Sequence, residues 1–129
     1  MSITKKLKDS KSWRDSYYHK LFGLKAAKEA ERVLPIFEKE CLNDNRPRLA
    51  IEAIKAWAED KRKLGMKEVR KLSLDSHAAA REAKTEAATF AARAAGHAIA
   101  TWHVPTHALG APIYAQKVIY ANKKQSSKK

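Results

Sequence analysis

A single cysteine, Cys41, stands in the 129 residues, so no intramolecular disulfide can hold the fold, and a reducing compartment suits the chain. Glycine and proline are scarce, four of each, too few for the turn-dense pattern of a sandwich or barrel. No apolar run approaches the ~20 residues that cross a bilayer, so no membrane partner is expected. The opening MSITKKLKDSKSW is charged and lacks the apolar stretch of a secretory leader, which makes a cytoplasmic location the expectation. Acidic residues also run out: from residue 87 to the end there is no Asp or Glu.

What remains is enough for one folded unit. Hydrophobic residues make up 44% of the chain, near the globular average, and the length suffices to bury a core without metals. The formal charge is +13 and unevenly spread. Residues 1–34 hold nine Lys/Arg against four Asp/Glu, and residues 61–81 hold seven against two. Residues 35–60 are slightly acidic, residues 82–122 are close to neutral, and four lysines end the chain. Basic arms and tails commonly serve solubility, but the same charge gives a nucleic-acid-binding reading its footing.

Apolar residues recur at helical spacing and nowhere alternate as in a strand, so the expected class is all-α. Residues 1–22 read as a basic arm with a short helix over 13–22, residues 23–122 as one helical domain, and 123–129 as a disordered basic tail. Gly23 is expected to break the pattern, and Pro35 to kink or restart the helix that follows. After the polar turn Asn43-Asp44-Asn45, Pro47 fits the first turn of a helix reaching about Glu59. A third helix is expected over roughly 66–83, and a fourth from the cap Thr85 to about Trp102. A fifth is expected from the cap Thr106 to about Asn122, bent at Pro112. Sixteen alanines lie between Ala78 and Ala121, which lets helices approach backbone to backbone. A compact bundle of about five helices is the expected architecture; the loosely similar runs HAAAREA, AARAAGHA and HALGAPIYA make a short helical solenoid the alternative.

Few residues point to chemistry. His77 and Arg81 lie one turn apart on the third helix, as do Arg93 and His97 on the fourth. If the two helices form an antiparallel hairpin, the pairs face each other in mirrored order, with Glu82 and Glu86 near the turn able to complete a network. The alternative makes Thr89, Arg93 and His97 an ordinary wet stripe. A buried network must be fully bonded, since each stranded polar group costs about 1–3 kcal/mol. His103 and His107 are separated by Pro105 and have no acid nearby, so they are expected to support a tight loop and not a metal. Arg46, Arg48 and Glu52 form a weaker cluster, with Arg48 and Glu52 at ion-pair spacing on a helix. Trp13, Trp57 and Trp102 read as core anchors, whereas Tyr17, Tyr18, Tyr114 and Tyr120 suit either packing or stacking. No phosphate loop, nucleophile elbow, HExxH or supported catalytic triad occurs, and Cys41 beside Glu40 has nothing to activate it. Neither enzymatic activity nor a cofactor is expected.

The runs AERVLPIFE (30–38), RPRLAIEAIKAWAE (46–59), HAAAREA (77–83) and AARAAGHAIATWHVPTHALGAPIYA (91–115) resemble the putative immunity protein family of small helical microbial proteins. The resemblance covers roughly residues 25–120 and implies a module that binds and neutralises a cognate toxin. Its matching positions are Arg46, Pro47, Arg48, Glu52, His77, Arg81, Arg93, His97, His103 and His107. Trp102 and Pro112 depart from the pattern, which implies a different start to the fifth helix. A positive charge of this size does not suit a blocker of basic, nucleic-acid-cleaving toxins, so an acidic partner or a contact through the neutral 82–122 region is expected.

Overall fold

The computed structural model describes residues 16–127, so residues 1–15 of the expected basic arm, Trp13 among them, and the last two lysines lie outside the described residues, while Tyr17–Phe22 belong to the first long helix and not to a separate short one. Within that span five α-helices and one short 3₁₀ turn follow one another, and no strand occurs. The helices are α1 (Tyr17–Glu40), α2 (Arg46–Ala58), α3 (Met66–Glu82), α4 (Glu86–Ala100) and α5 (Gly110–Ser127), with the 3₁₀ turn at Pro105–Leu109 between the last two.

α1 begins where Ser16 accepts a hydrogen bond from the His19 amide, a side-chain cap for an otherwise unpaired donor. It then passes both expected breaks. Gly23 is buried against Trp57 and Ile54, and a Cβ built there would lie 3.1 Å from the Trp57 ring; the missing side chain lets α1 settle onto α2. Glycine costs a helix about 1 kcal/mol, less than the burial of the long α1 face returns. Pro35 is exposed, so the carbonyl left without a donor one turn earlier lies on the solvent side, and the helix continues. Ala26, Ala27, Ala30, Val33, Leu34 and Phe37 form the buried stripe.

α2 buries Ile51, Ile54 and Trp57 against that stripe, with Pro47 in its first turn as expected. It stops at Asp60, which takes the left-handed conformation (φ 61°) while the Lys61 amide reaches back to the Ala56 carbonyl. α3 and α4 form the anticipated antiparallel hairpin, joined through Ala83 and Lys84. Thr85 caps α4 by accepting from the Ala88 amide.

α4 is the centre of the molecule. It packs on α1, α2, α3 and α5 together, which a solenoid of nearest-neighbour repeats does not allow, and the bundle is the architecture. Ala87, Ala88, Ala91, Ala92, Ala94, Ala95, Gly96, Ala98 and Ile99 are all buried. A helix small and apolar on nearly every side is one that neighbours enclose. The fifth helix starts later than expected: residues 105–109 form the 3₁₀ turn, and Pro112 falls in the first turn of α5, where it breaks no hydrogen bond. It also continues past the expected end at Asn122, through what was expected to be a disordered tail, to Ser127, the last described residue. No glycine or proline follows Pro112, and lysines near a helix C-terminus are electrostatically favourable. Among the described residues no helix is long and apolar enough to cross a membrane.

Candidate functional site

The α3–α4 hairpin brings His77 and Arg93 together. Ser76 donates its hydroxyl to the Ala92 carbonyl at 2.8 Å and Ser73 to the Gly96 carbonyl at 3.2 Å, fixing the register of the two helices. In that register the Arg93 guanidinium donates to His77 Nδ1 at 2.8 Å. A guanidinium cannot accept, so Nδ1 carries the lone pair and the ring is neutral with its proton on Nε2. Burial, followed by the positive field of Arg93, His97, Arg81 and His107, lowers the His77 pKa to about 4.

Gly96 lies under that ring: a Cβ there would come within 2.6 Å of His77 Nε2. One turn along the seam, the His97 ring sits edge-on to His77 at 5.7 Å, stacks on Tyr114 of α5 at 5.0 Å, and meets His107 of the 3₁₀ turn at 5.5 Å. Gly110 closes the other side, since a Cβ there would lie 2.4 Å from His97 Nδ1. That nitrogen is buried without a hydrogen-bond partner, pressed against the α5 backbone. Burial lowers the pKa values of His97 and His107 as well, aided by their cationic neighbours. Tyr114 continues the row of rings to Phe90, 6.0 Å away, and the Lys117 ammonium lies over both rings at 4.9 and 5.6 Å.

Of the residues singled out from sequence, His77, Arg93, His97 and His107 thus converge, and two of them, His77 and His97, do so as rings packed on glycine backbones. Arg81 and His103 are exposed and reach the cluster only through their charge, on His77 and His107 respectively. Glu82 does not complete the network. It faces the start of α2, where it pairs with Arg46 at 3.0 Å, and Arg46 also holds Asp44 at 2.7 Å. Arg48 pairs with Glu52 at 3.7 Å as its spacing predicts, but its tighter partner is Glu38 on α1, held through two bonds of 2.5 and 2.6 Å. Those bonds hold the Glu38 carboxyl below its usual range. Arg46, Arg48 and Glu52 therefore belong to a second set of contacts that ties α1, α2 and α3 at their ends.

Sequence reasoning passed over Glu40. From the end of α1 it accepts the Lys84 amide at 2.8 Å and the Thr85 hydroxyl at 2.5 Å, clamping the α3–α4 turn. Burial alone would raise its pKa, and these bonds outweigh that and lower it. It also missed His19, fully buried, with Nε2 2.6 Å from the Thr101 carbonyl and the ring edge-on to Trp57. Trp57 and Trp102 are buried as anticipated. Burial and the Glu40 charge raise the Cys41 pKa, which keeps the thiol protonated. Among the described residues no group of three or more His, Cys, Asp or Glu is placed to hold a metal ion.

The arrangement is that of an alanine-seamed helical bundle, locked by imidazole and aromatic rings. A family model described as Imm-5 like putative immunity protein matches residues 18–129, and the chain belongs to that family. The match extends beyond the 25–120 region that carries the sequence resemblance. No curated protein and no solved structure matches the chain.

Proposed function

We propose that the protein is a non-enzymatic, cytoplasmic binding module that protects its cell by engaging and neutralising a cognate toxin. The observation that carries this reading is membership of the immunity family across nearly all of the described fold. The packing supports it. Several of the polar residues singled out from sequence are engaged in contacts within the fold. His77 holds Arg93, Arg46 holds Asp44 and Glu82, and Arg48 holds Glu38. In this reading both sets fix the helices, and the partner is met by the surface they make rigid, since a preorganised surface binds at lower entropic cost.

Co-expression with candidate toxins encoded beside the gene in its source genome tests the reading. Restored growth, together with a stoichiometric complex on gel filtration, is the expected result. Growth arrest unchanged by the protein, with no complex formed, overturns it.

A further inference from the structure

α5 is apolar on two opposite faces. Ala111, Ala115, Val118 and Ala121 are buried against the bundle, while Ile113 and Tyr120 on the other side are 56% and 69% exposed. Leu109, in the 3₁₀ turn just before the helix, is 66% exposed. Four of the nine large hydrophobic residues exposed in the described chain, Ile119 among them, fall between positions 109 and 120. Scattered exposed apolar residues need no explanation, but a concentration along one short stretch, with Ile113 and Tyr120 on the same outer face, marks a surface that something covers.

This surface borders a groove of about 590 Å³ between α4 and α5, lined by Phe90, Ile113, Gln116, Lys117 and Tyr120, with Glu86 at one end. Its floor is preformed: Phe90 is held by Tyr114, which the imidazole row backs, and Lys117 caps both rings. Beyond Glu86 every formally charged residue of α4 and α5 is a cation, namely Arg93, Lys117, Lys123 and Lys124.

We infer that this groove is the docking surface for an acidic protein segment, one that sets aliphatic or aromatic side chains into it and a carboxylate against Lys117. The inference rests on the immunity reading for the partner being a protein, and adds where it binds and what chemistry it presents. Charge separates this occupant from the others. A second copy brings the same lysines to the same groove, and residues 1–15 of the chain carry five Lys/Arg against two Asp. An acidic apolar segment alone is attracted on both counts.

Two synthetic amphipathic helices with the same Leu/Phe stripe, one flanked by Glu and the other by Lys, test the groove by amide NMR on the full chain. The Glu-flanked peptide is expected to shift resonances of residues 86–90 and 113–121 and to bind at least about tenfold more tightly, a preference that fades with added salt. Ile113→Ala with Tyr120→Ala removes binding without unfolding the protein, both side chains being exposed, and Lys117→Glu reduces or inverts the preference. Equal binding of the two peptides, shifts mapping elsewhere, or self-association of the free protein through residues 113–121 overturns the proposal. Protection assays separate it from the immunity reading. A double variant that still protects removes this surface and leaves immunity standing. A wild type that protects against no toxin yet binds the Glu-flanked peptide here removes immunity and leaves the groove.

Discussion

The two ends of this bundle are held together in different ways. Between α1 and α2 the core is thick: Leu34, Phe37, Ile51, Ile54 and Trp57 interleave, and carboxylate–guanidinium pairs such as Glu38–Arg48 close the rim. Between α3, α4 and α5 the packing layer is thin, because most of the buried residues are small. Alanines fill the seam, and the bulk comes from a few rings: His77 and His97 set against Gly96 and Gly110, with His107 and Tyr114 packed on His97. A thick core tolerates a shifted side chain and suffers from a lost one. A thin seam loses little when a methyl is removed and much when one is added.

Deletion should therefore be worst in the first region. Phe37→Ala leaves a large void in a fully buried site and is expected to cost about 3–5 kcal/mol by chemical denaturation. A loss below that of any single Ala→Gly change in α4 would erase the contrast.

Addition should be worst in the second. Gly96→Ala drives a methyl into the His77 ring at 2.6 Å, and that ring is pinned by Arg93 and His97; a loss of about 2–4 kcal/mol is expected. The same change at Gly23 meets Trp57 and Ile54 at 3.1–3.3 Å, a gap that closes with shifts of tenths of an ångström, and should stay within about 1 kcal/mol. Combining Gly96→Ala with His77→Ala should cost less than the sum of the two, because the obstructing ring is gone. Strict additivity would show that the imidazole is not what fills the space.

Acid should also divide the regions. The unfolded chain binds a proton at His77 near pH 6.5, the native ring only near 4, so stability falls as pH drops through that window and is fully present above it. Allowing for solvent screening of a partly exposed ring, about 1–2 kcal/mol is at stake. The groups facing His77 are Arg81 on its own helix, Arg93 and His97 on α4, and His107 on the 3₁₀ turn; none is an anion that protonation would satisfy. The α1–α2 rim responds later, since Glu38 and Asp44 are held below their ordinary pKa values by their arginines. Hydrogen exchange at pH 7 and 5 should show α4 and α5 amides loosening before those of α1 and α2. His77→Asn, which keeps an acceptor for Arg93 and cannot titrate, should flatten the difference.

These features were unequally legible in the sequence. Helical periodicity revealed α2, α3 and α4, and antiparallel spacing alone set the His77/Arg81 pair against Arg93/His97, because both lie near one short turn; that His77 bonds Arg93 while Arg81 stays exposed is visible only in the fold. Periodicity names a face and not the neighbour across it. Tyr114 and Phe90 were therefore left open or unremarked, and Glu82 was assigned to the wrong network. Gly23 and Pro35 carry local signals for a break that the tertiary setting overrides, one buried under Trp57 and the other facing water. His19 and Thr101 meet across 82 positions, a pairing no local pattern encodes.

Glu40 joins the two regions, and its removal is expected to have the smallest effect. It belongs to α1 by sequence, yet both its carboxylate oxygens serve the turn that starts α4. Glu40→Gln keeps one acceptor and replaces the other with a donor facing the Lys84 amide or the Thr85 hydroxyl, so about 1 kcal/mol should be lost. Glu40→Ala removes both acceptors, but the turn lies near the surface, where water can replace them, so the two variants should differ little. The informative readout is local. If the clamp couples the regions, Glu40→Gln should speed exchange at the Thr89 and Ala88 amides of the first α4 turn while leaving the Ile51–Trp57 stretch of α2 unchanged. Equal acceleration in both would mean that the thick core and the thin seam open as one unit, and that the contrast between them is one of composition alone.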